Sequence, residues 1–285
     1  MFDYIKQSLN QIYTSREAQQ LAVRVLQHVT GLSQAAVLTC KDTILSEHQH
    51  KEIADIVRRL QKNEPIAYVL GETTFYGLPF SVNSHTLIPR PETEELVDWI
   101  VRNHKNDNPR ILDIGTGSGC IAVALAKNIA GSKVFAMDIS AEALEIAKKN
   151  ADINNVEIEF IQADIFDLRF AICDLRLATC DLRDFDIIVS NPPYVCEREK
   201  ADMQDNVLLY EPHRALFVPD DEPLKFYRAI ADFASLSACL YFEINRAFGQ
   251  EICAMLREMG FSDIELRKDD YGNDRMIKVW NTKKP

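Results

Sequence analysis

Apolar residues recur at three- and four-residue spacing through roughly the first sixty residues, as expected for amphipathic helices. Thr14 and Glu17 have the spacing of a capping box before one such run, and Gly31 is placed to end that helix. Strand-like alternation is rare in this part of the chain. The pattern predicts a small all-helical domain over residues 1–72, with apolar faces formed by Leu21, Ala22, Val25, Leu26, Val29, Ile53, Ile56, Val57 and Leu60.

The pattern changes near residue 73 to aromatic and β-branched residues separated by turn residues. The runs 73–76 and 80–82 flank a turn that contains Gly77 and Pro79, so residues 73–90 are predicted to form a linker hairpin. Pro91 suits the first turn of a helix, and the acidic residues after it suit the positive end of the helix dipole.

After Pro109, short apolar runs alternate with helical patterns, which is typical of a doubly wound, mostly parallel sheet. At the end of the chain, residues 263–267 and 276–280 flank a turn around Gly272 and predict a terminal antiparallel hairpin. The predicted fold class is therefore α/β, with a Rossmann-like sheet over residues 91–285. Its other strands are expected at 110–114, 134–137, 158–161, 187–189 and 240–244.

A glycine-rich turn follows the first strand of this sheet and precedes a helix. Glycines permit a tight turn and a close backbone approach, and the following helix offers free N–H groups to a negatively charged group. The spacing G-x-G-x-G favours S-adenosylmethionine over a nicotinamide cofactor, for which G-x-G-x-x-G is expected. The candidate cofactor-binding residues in this loop are Gly115, Thr116, Gly117, Ser118 and Gly119.

Two carboxylates follow the next two strands. Asp138 ends the second strand, where it can accept hydrogen bonds from both ribose hydroxyls, although an aspartate before Ser140 can also cap a helix. Asp164 follows the third strand, at the same predicted edge of the sheet. Three suitable groups at successive strand ends indicate a nucleoside-type cofactor.

The fourth strand ends in the sequence Asn191-Pro192-Pro193-Tyr194. The prolines fix the backbone and lack N–H donors, so their carbonyl acceptors remain available. A planar NH2 group could donate to the Asn191 oxygen and the Pro192 carbonyl while it stacks on the Tyr194 ring. These four residues are the candidate catalytic and substrate-binding residues, and Asn191 is expected to border the cofactor as well. The alternative is an ordinary Asn-Pro turn.

Composition narrows the classes of partner. The net charge of −11 disfavours direct nucleic-acid binding, which needs clustered Lys and Arg. The seven cysteines are odd in number and form no C-x-x-C pair, which favours free thiols in a reducing compartment over disulfides or zinc. His48 and His50 lie on different sides of a predicted helix, so no metal site is expected there.

With no signal peptide and no apolar run long enough to span a membrane, we expect a cytoplasmic protein without membrane contact.

The glycine loop and the Asn-Pro-Pro-Tyr motif together resemble the Rossmann-like amino-methyltransferases, which include adenine-N6 and glutamine-N5 enzymes. The segments 64–71, 75–80 and 87–94 look more specifically like the linker of the peptide chain release factor glutamine N5-methyltransferase family. Residues 210–212, 215–216 and 274–275 also fit that family, so the resemblance covers nearly the whole chain.

This resemblance implies an S-adenosylmethionine-dependent protein methyltransferase. Its substrate would be the glutamine of the Gly-Gly-Gln motif in class 1 peptide chain release factors, and the N-terminal domain would help to dock that protein. The resemblance also implies that the glycine loop, Asp138, Asp164 and Ile165 hold the cofactor, while Asn191 to Tyr194 hold the glutamine.

The chain departs from the family pattern at three places. An Asp-Leu-Arg segment is duplicated over 167–183, where related chains look shorter, and we interpret it as a lengthened surface loop. Ile165 stands where some relatives have an aromatic residue, and 218–222 lack the glycines often found there.

Two alternatives remain open at the level of sequence. An adenine-N6 methyltransferase acting on DNA or RNA would use the same kind of pocket, and the acidic charge and the linker segments oppose it. A non-catalytic cofactor-binding adaptor is the alternative from another class, and the intact Asn-Pro-Pro-Tyr motif opposes that one.

Overall fold

The computed structural model describes residues 1–39, 45–167, 185–234 and 238–281. The chain divides into two compact units, Met1–Glu72 with Met203–Tyr210 and Thr73–Asp202 with Glu211–Pro285. All but the first residue of the duplicated Asp-Leu-Arg segment lies outside the described residues. Within the described ranges, no helix combines the length and the apolar character needed to cross a membrane.

The first unit is helical, and its helix ends follow the expected chemistry. The capping box before the second helix is formed: Glu17 N donates to Thr14 Oγ1 over 3.3 Å, and Thr14 N donates to Glu17 Oε2 over 2.9 Å. Gly31 ends that helix with a φ of 69°. The helices are α1 (Phe2–Leu9), α2 (Ser15–Thr30), α3 (Gln34–Thr39), α4 (Glu47–Leu60) and α5 (Ile66–Leu70).

The remaining helices are α6 (Pro91–His104), α7 (Cys120–Asn128), α8 (Ala141–Asn154), α9 (Asp205–Tyr210, part of the first unit), α10 (Lys225–Phe233) and α11 (Gly249–Glu258). Two 3-10 helices lie at Glu197–Asp202 and His213–Ala215. The strands are β1 (Glu72–Phe75), β2 (Leu78–Ser81), β3 (Arg110–Ile114), β4 (Lys133–Asp138), β5 (Ile158–Gln162), β6 (Ile187–Ser190), β7 (Val195–Cys196), β8 (Phe217–Val218), β9 (Cys239–Glu243), β10 (Asp263–Lys268) and β11 (Asp274–Trp280).

Seven of these strands form one sheet in the order β10-β11-β9-β6-β3-β4-β5. The pairs β3–β4, β4–β5, β3–β6 and β6–β9 are parallel, whereas β11 runs antiparallel to both β9 and β10. The predicted α/β class, with a mostly parallel sheet and a terminal antiparallel hairpin, is confirmed.

The direction of strand addition reverses between β3 and β6. From β3 the chain adds β4 and β5 on one side, and it then returns to add β6 on the other side. In open α/β sheets, ligands bind in the crevice at the carboxyl ends of the strands where the order reverses. The loops that follow β3 and β6 contain the glycine motif and Asn191, so both motifs border this crevice.

Apolar clusters cover both faces of the sheet. Residues of α6, α7 and α8 pack on one face, and residues of α10 and α11 pack on the other. Strands buried on both faces carry continuous apolar runs, which explains why the runs at 110–114 and 187–189 stand out in the sequence.

A buried asparagine holds the β1–β2 hairpin against α8. Asn150 on α8 accepts a hydrogen bond from Ser81 N at 2.7 Å and donates to Ser81 O at 2.9 Å and to Ser118 O at 2.8 Å. One side chain therefore joins the hairpin to the glycine loop.

Candidate active site

The glycine loop is built from backbone conformations that glycine adopts readily. Gly115, Gly117 and Gly119 have φ angles of +73°, +54° and +78°. The N–H groups of Gly115 and Thr116 donate to Met137 O over 2.8 and 2.9 Å, so the end of β4 fixes the turn. A Cβ atom placed on Gly119 would lie 3.0 Å from Ala147 Cβ, whereas a Cβ on Gly115 or Gly117 would meet no atom within 4 Å. Gly119 thus permits close packing of α7 against α8, and the other two glycines face open space.

Asp113, at the penultimate position of β3, lies beside the glycine loop and is a candidate that the sequence analysis did not single out. Its Oδ2 accepts hydrogen bonds from Thr116 Oγ1 at 2.6 Å and from Ala122 N at 3.2 Å. Its Oδ1 is buried and has no hydrogen-bond partner among the described residues. Burial raises the pKa of the Asp113 carboxyl to about 7. A buried, unpaired carboxylate oxygen is suited to a cationic partner.

The Thr116 and Ser118 side chains are buried and support the loop from inside. The Thr116 hydroxyl is used by Asp113, and Ser118 is 2 % exposed, with its carbonyl accepting from Asn150. These two predicted cofactor-binding residues therefore present backbone groups, and not hydroxyls, to the outside of the loop.

Asp138 lies at the end of β4, against the glycine loop. Its Oδ2 accepts from Gly117 N at 2.8 Å, and its Oδ1 accepts from Ser140 N at 2.9 Å. Ser140 itself caps α8 by accepting from Ala143 N at 3.1 Å. Burial raises the pKa of the Asp138 carboxyl. The carboxylate has more acceptor sites than these backbone contacts use, so it retains capacity to accept from a ribose hydroxyl.

Asp164 and Ile165 follow β5 by two and three residues. The Asp164 Oδ1 accepts from Phe166 N at 2.9 Å, a turn that fixes the direction of the loop. Ile165 is partly buried and packs against the apolar cluster beneath α10 and α11. The structure thus places both predicted residues at the same edge of the sheet as Asp138.

These groups fit S-adenosylmethionine. Its ribose hydroxyls need acceptors, which the Asp138 carboxylate provides, and its amino group needs an anion, which the unpaired Asp113 oxygen provides. Its methionyl carboxylate needs N–H donors, which a glycine loop before a helix provides. The assignment of the glycine loop and Asp138 to the cofactor stays a prediction, and Asp113 is an addition to it that the structure suggests.

The ends of β3 and β6 are joined beside the reactive motif. The Ser190 hydroxyl, at the last position of β6, donates to Ile114 O at 2.6 Å. Asn191 follows at once, and its Nδ2 donates to Thr93 Oγ1 over 3.3 Å. Thr93 lies in the first turn of α6, so this helix supports the Asn191 side chain.

A buried glutamate connects several residues of this motif. Glu243, the last residue of β9, is 1 % exposed. Its Oε2 accepts from Thr93 Oγ1 at 2.6 Å, and its Oε1 accepts from Tyr194 OH at 3.1 Å. Burial raises the pKa of the Glu243 carboxyl, and the nearby Arg275 charge acts in the opposite direction. The sequence analysis identified neither Thr93 nor Glu243.

The backbone of the motif is held as well. Asn245 Nδ2 donates to Tyr194 O over 3.1 Å and to Glu199 Oε2 over 2.9 Å. Pro192 is buried, and Asn191, Pro193 and Tyr194 are partly exposed. The segment of predicted reactive residues is thus held at both ends, by Thr93 at Asn191 and by Asn245 at Tyr194.

A second buried acid orders the segment before α6. Glu211 Oε1 accepts from Arg90 Nη2 at 2.7 Å, and its Oε2 accepts from Ile88 N at 3.3 Å. The pair fixes the 88–90 segment that leads into the helix carrying Thr93. The sequence analysis noted Glu211 only as part of a motif.

Comparisons with known proteins agree with this geometry. The family described as "Methyltransferase small domain" matches residues 93–217. The solved catalytic domain of hMettl16, in complex with MAT2A 3'UTR hairpin 1, has a TM-score of 0.53 at 16% identity, covering 83% of this chain and 81% of that chain. At this identity the likeness concerns the fold alone. Fold and site define a Rossmann-like, S-adenosylmethionine-dependent methyltransferase, as predicted.

The family described as "PrmC N-terminal domain" matches residues 1–71. A protein of Flavobacterium psychrophilum named "Release factor glutamine methyltransferase" is 46% identical, over 96% of this chain and 95% of its own length. A protein of the same name from Bacteroides thetaiotaomicron is 45% identical, over 96% of both chains. The chain belongs to the release factor glutamine methyltransferase family, which confirms the resemblance found in its motifs.

Replacing Asp138 by alanine is expected to weaken S-adenosylmethionine binding by about 1.5–3 kcal/mol, because charge-assisted hydrogen bonds are lost. Isothermal titration calorimetry on the folded variant measures this. Asp138→Asn, which keeps one acceptor oxygen, should lose less, and Asp152→Ala, an exposed aspartate on α8, should bind normally. Unchanged affinity in Asp138→Ala would remove this residue from the cofactor site.

Gly119→Ala is expected to destabilise the second unit more than Gly115→Ala. Both variants place a side chain at a positive φ, at a cost of about 1–2 kcal/mol. Only Gly119→Ala also forces a Cβ against Ala147 at 3.0 Å, and overpacking adds about 1–3 kcal/mol. Thermal melts without cofactor compare the two. Equal melting temperatures would show that α7 and α8 do not need the glycine for close packing.

Proposed function

We propose that this protein transfers the methyl group of S-adenosylmethionine to the side-chain amide nitrogen of the glutamine in the Gly-Gly-Gln motif of class 1 peptide chain release factors. Two bacterial relatives that align with this chain over nearly their full length are named "Release factor glutamine methyltransferase". The observation that carries the proposal is the position of Asn191, at the reversal point of the sheet, with its NH2 group occupied by Thr93. Because class 1 release factors act on ribosomes, we also place the reaction in the cytoplasm.

An amide nitrogen is a weak nucleophile because its lone pair is delocalised into the carbonyl. Two acceptors on its hydrogens increase the electron density on nitrogen and fix the direction of the lone pair. Asn191 Oδ1 and the Pro192 carbonyl are the acceptors that we assign to this role. Tyr194 has its hydroxyl anchored on Glu243, which fixes the ring that we expect to stack on the planar amide.

The cofactor supplies an electrophilic methyl group on a positively charged sulfur. The residues of the chain orient the amide and accept hydrogen bonds from its two hydrogens. The N–CH3 bond forms as the S–CH3 bond breaks, and the nitrogen then carries the positive charge. Because an amide nitrogen in this cationic form is strongly acidic, its proton can leave to water and no strong general base is needed. Orientation and electrostatics therefore account for the catalysis.

We further propose that residues 1–72 form the substrate-docking domain, with 73–90 as the linker hairpin and 91–285 as the methyltransferase domain. A glutamine on a protein loop offers the pocket few contacts, so a second surface is needed to hold the substrate protein. The first unit contains a groove of about 450 Å³ beside α2, lined in part by Arg16, Gln20, Arg24 and Gln27. Its polar and cationic lining is suited to a protein surface with carbonyl and carboxylate groups.

The test is a labelled-methyl transfer assay with three substrates offered in parallel. These are an intact class 1 release factor, the same factor with the motif glutamine replaced by alanine, and DNA or RNA rich in unpaired adenine. We expect label in the intact factor alone. Label in nucleic acid would support the adenine-N6 alternative, and no transfer to any substrate would support a cofactor-binding adaptor.

A further inference from the structure

The hydrogen-bond directions around Thr93 determine how Asn191 is oriented. A threonine hydroxyl has one proton, and at Thr93 this proton is donated to the Glu243 carboxylate over 2.6 Å. The remaining capacity of Thr93 Oγ1 is to accept, so the group that faces it must be a donor. Asn191 meets this demand with Nδ2 at 3.3 Å, and its Oδ1 consequently points away from Thr93.

Glu243 controls this arrangement because it accepts at both of its oxygens. One oxygen takes the proton of Thr93 and the other takes the proton of Tyr194. Its own backbone carbonyl accepts from Tyr227 OH at 3.1 Å, which fixes the end of β9. An ionised carboxylate only accepts, so it imposes one direction on both hydroxyl groups.

The arrangement is costly for stability, because a buried carboxylate loses its hydration. Among the described residues, the hydrogen bonds to the Glu243 side chain come from Thr93 and Tyr194. Arg275, the cation that acts on its charge, donates its own Nε hydrogen to Asp269 over 3.2 Å. An apolar residue at the end of β9 would pack without this cost. The use of one Glu243 oxygen on Tyr194 and of the other on Thr93, which holds Asn191, therefore indicates a function.

We propose that Thr93 and Glu243 are positioning residues, which hold Asn191 with its amide oxygen towards the substrate nitrogen and hold the Tyr194 ring beside it. The inference rests on the proposed function of the site, and it adds a reason for the buried glutamate. Neither residue needs to touch the substrate. The hydrogen bonds from Asn191 to Thr93 and from Thr93 to Glu243 form a relay. Without this relay, the Asn191 amide is free to rotate, and it then presents its NH2 group to the substrate in part of the population.

The test compares Thr93→Val with Thr93→Ser. Valine keeps the shape of threonine but removes the hydroxyl, whereas serine keeps the hydroxyl and removes the methyl group. We expect kcat of Thr93→Val to fall about ten- to a hundredfold, as for a misplaced catalytic group, with KM for the release factor and cofactor affinity almost unchanged. Thr93→Ser should retain most of kcat. If serine is as impaired as valine, the retained hydroxyl does not preserve the function and the relay is refuted.

Glu243→Gln provides the second variant. A glutamine side chain has only one oxygen, so one of the two hydroxyl groups must change its direction. We expect a loss of kcat similar to that of Thr93→Val, with a thermal melt to show that the variant is folded. A folded Glu243→Gln protein with the kcat of the parent would contradict the relay.

Hydrogen exchange of the Asn191 side chain tests the relay without depending on methyl transfer. In protein labelled with 15N-asparagine, the Asn191 side-chain signals are identified by their loss in Asn191→Ala. We expect slow hydrogen exchange of one Asn191 NH2 proton in the parent and in Thr93→Ser, and fast exchange in Thr93→Val. Unchanged exchange in Thr93→Val overturns the relay. If the parent fails to methylate a release factor, the proposed reaction fails, while the exchange data still decide on the relay.

Discussion

Asn191→Ala is expected to reduce kcat for methyl transfer at least about a hundredfold, comparable to the loss of one oriented electrostatic group in an enzyme. The variant loses the amide oxygen that we assign to a substrate hydrogen. The residues that we assign to the cofactor, Asp113, Asp138 and the glycine loop, are left in place. Steady-state kinetics with an intact release factor measures the loss, and calorimetry measures the affinity for S-adenosylmethionine.

The matched control is Asn106→Ala, an exposed asparagine in the segment that precedes β3 at the opposite edge of the sheet. It should behave like the parent in both measurements. Near-normal turnover in a folded Asn191→Ala protein would remove the acceptor from the mechanism. A large loss of cofactor affinity would instead place Asn191 mainly in the cofactor site.

Charge reversal on the proposed docking domain is expected to impair methylation of an intact release factor more than methylation of a short peptide. Arg16→Glu with Arg24→Glu changes two exposed residues of α2 beside the groove of the first unit. We expect kcat/KM for the intact release factor to fall at least about tenfold, because a second binding surface can raise the apparent affinity by 10²–10⁴. Methylation of a short Gly-Gly-Gln peptide, which cannot reach that surface, should change little.

Lys133→Glu is the control for charge reversal as such. Lys133 is exposed at the start of β4, so it lies at the edge of the sheet opposite to the candidate active site. It should leave both substrates unaffected. Equal effects of the α2 variant on factor and peptide would show that the α2 face is not the docking surface.

The sheet was predictable from the sequence because its signals are local. The strand at Arg110–Ile114 has the predicted bounds, and that at Ile187–Ser190 differs from the prediction by one residue. The capping box at Thr14 and the helix end at Gly31 depend on residues three or four positions apart and on one backbone conformation, and both are formed. Such features need no knowledge of distant contacts.

The residues around Asn191 could not be predicted in the same way. Thr93 and Glu243 are separated by 150 positions, and their hydrogen bond exists only after α6 packs against β9. One signal was available, because an acidic residue closes the apolar run of β9 at the same edge as Asn191. The placement of Met203–Tyr210 with the first unit depends on similarly distant contacts and has no local signal.

The central claim is that the methyl group is placed on the side-chain nitrogen of one glutamine, and site-resolved mass spectrometry tests it most directly. A release factor is incubated with the parent protein and S-adenosylmethionine, digested and fragmented, and the modified peptide is then hydrolysed in acid. We predict one added methyl group on the glutamine of the Gly-Gly-Gln motif and release of methylamine on hydrolysis. A methyl group on another residue, or on this glutamine without release of methylamine, would contradict the account.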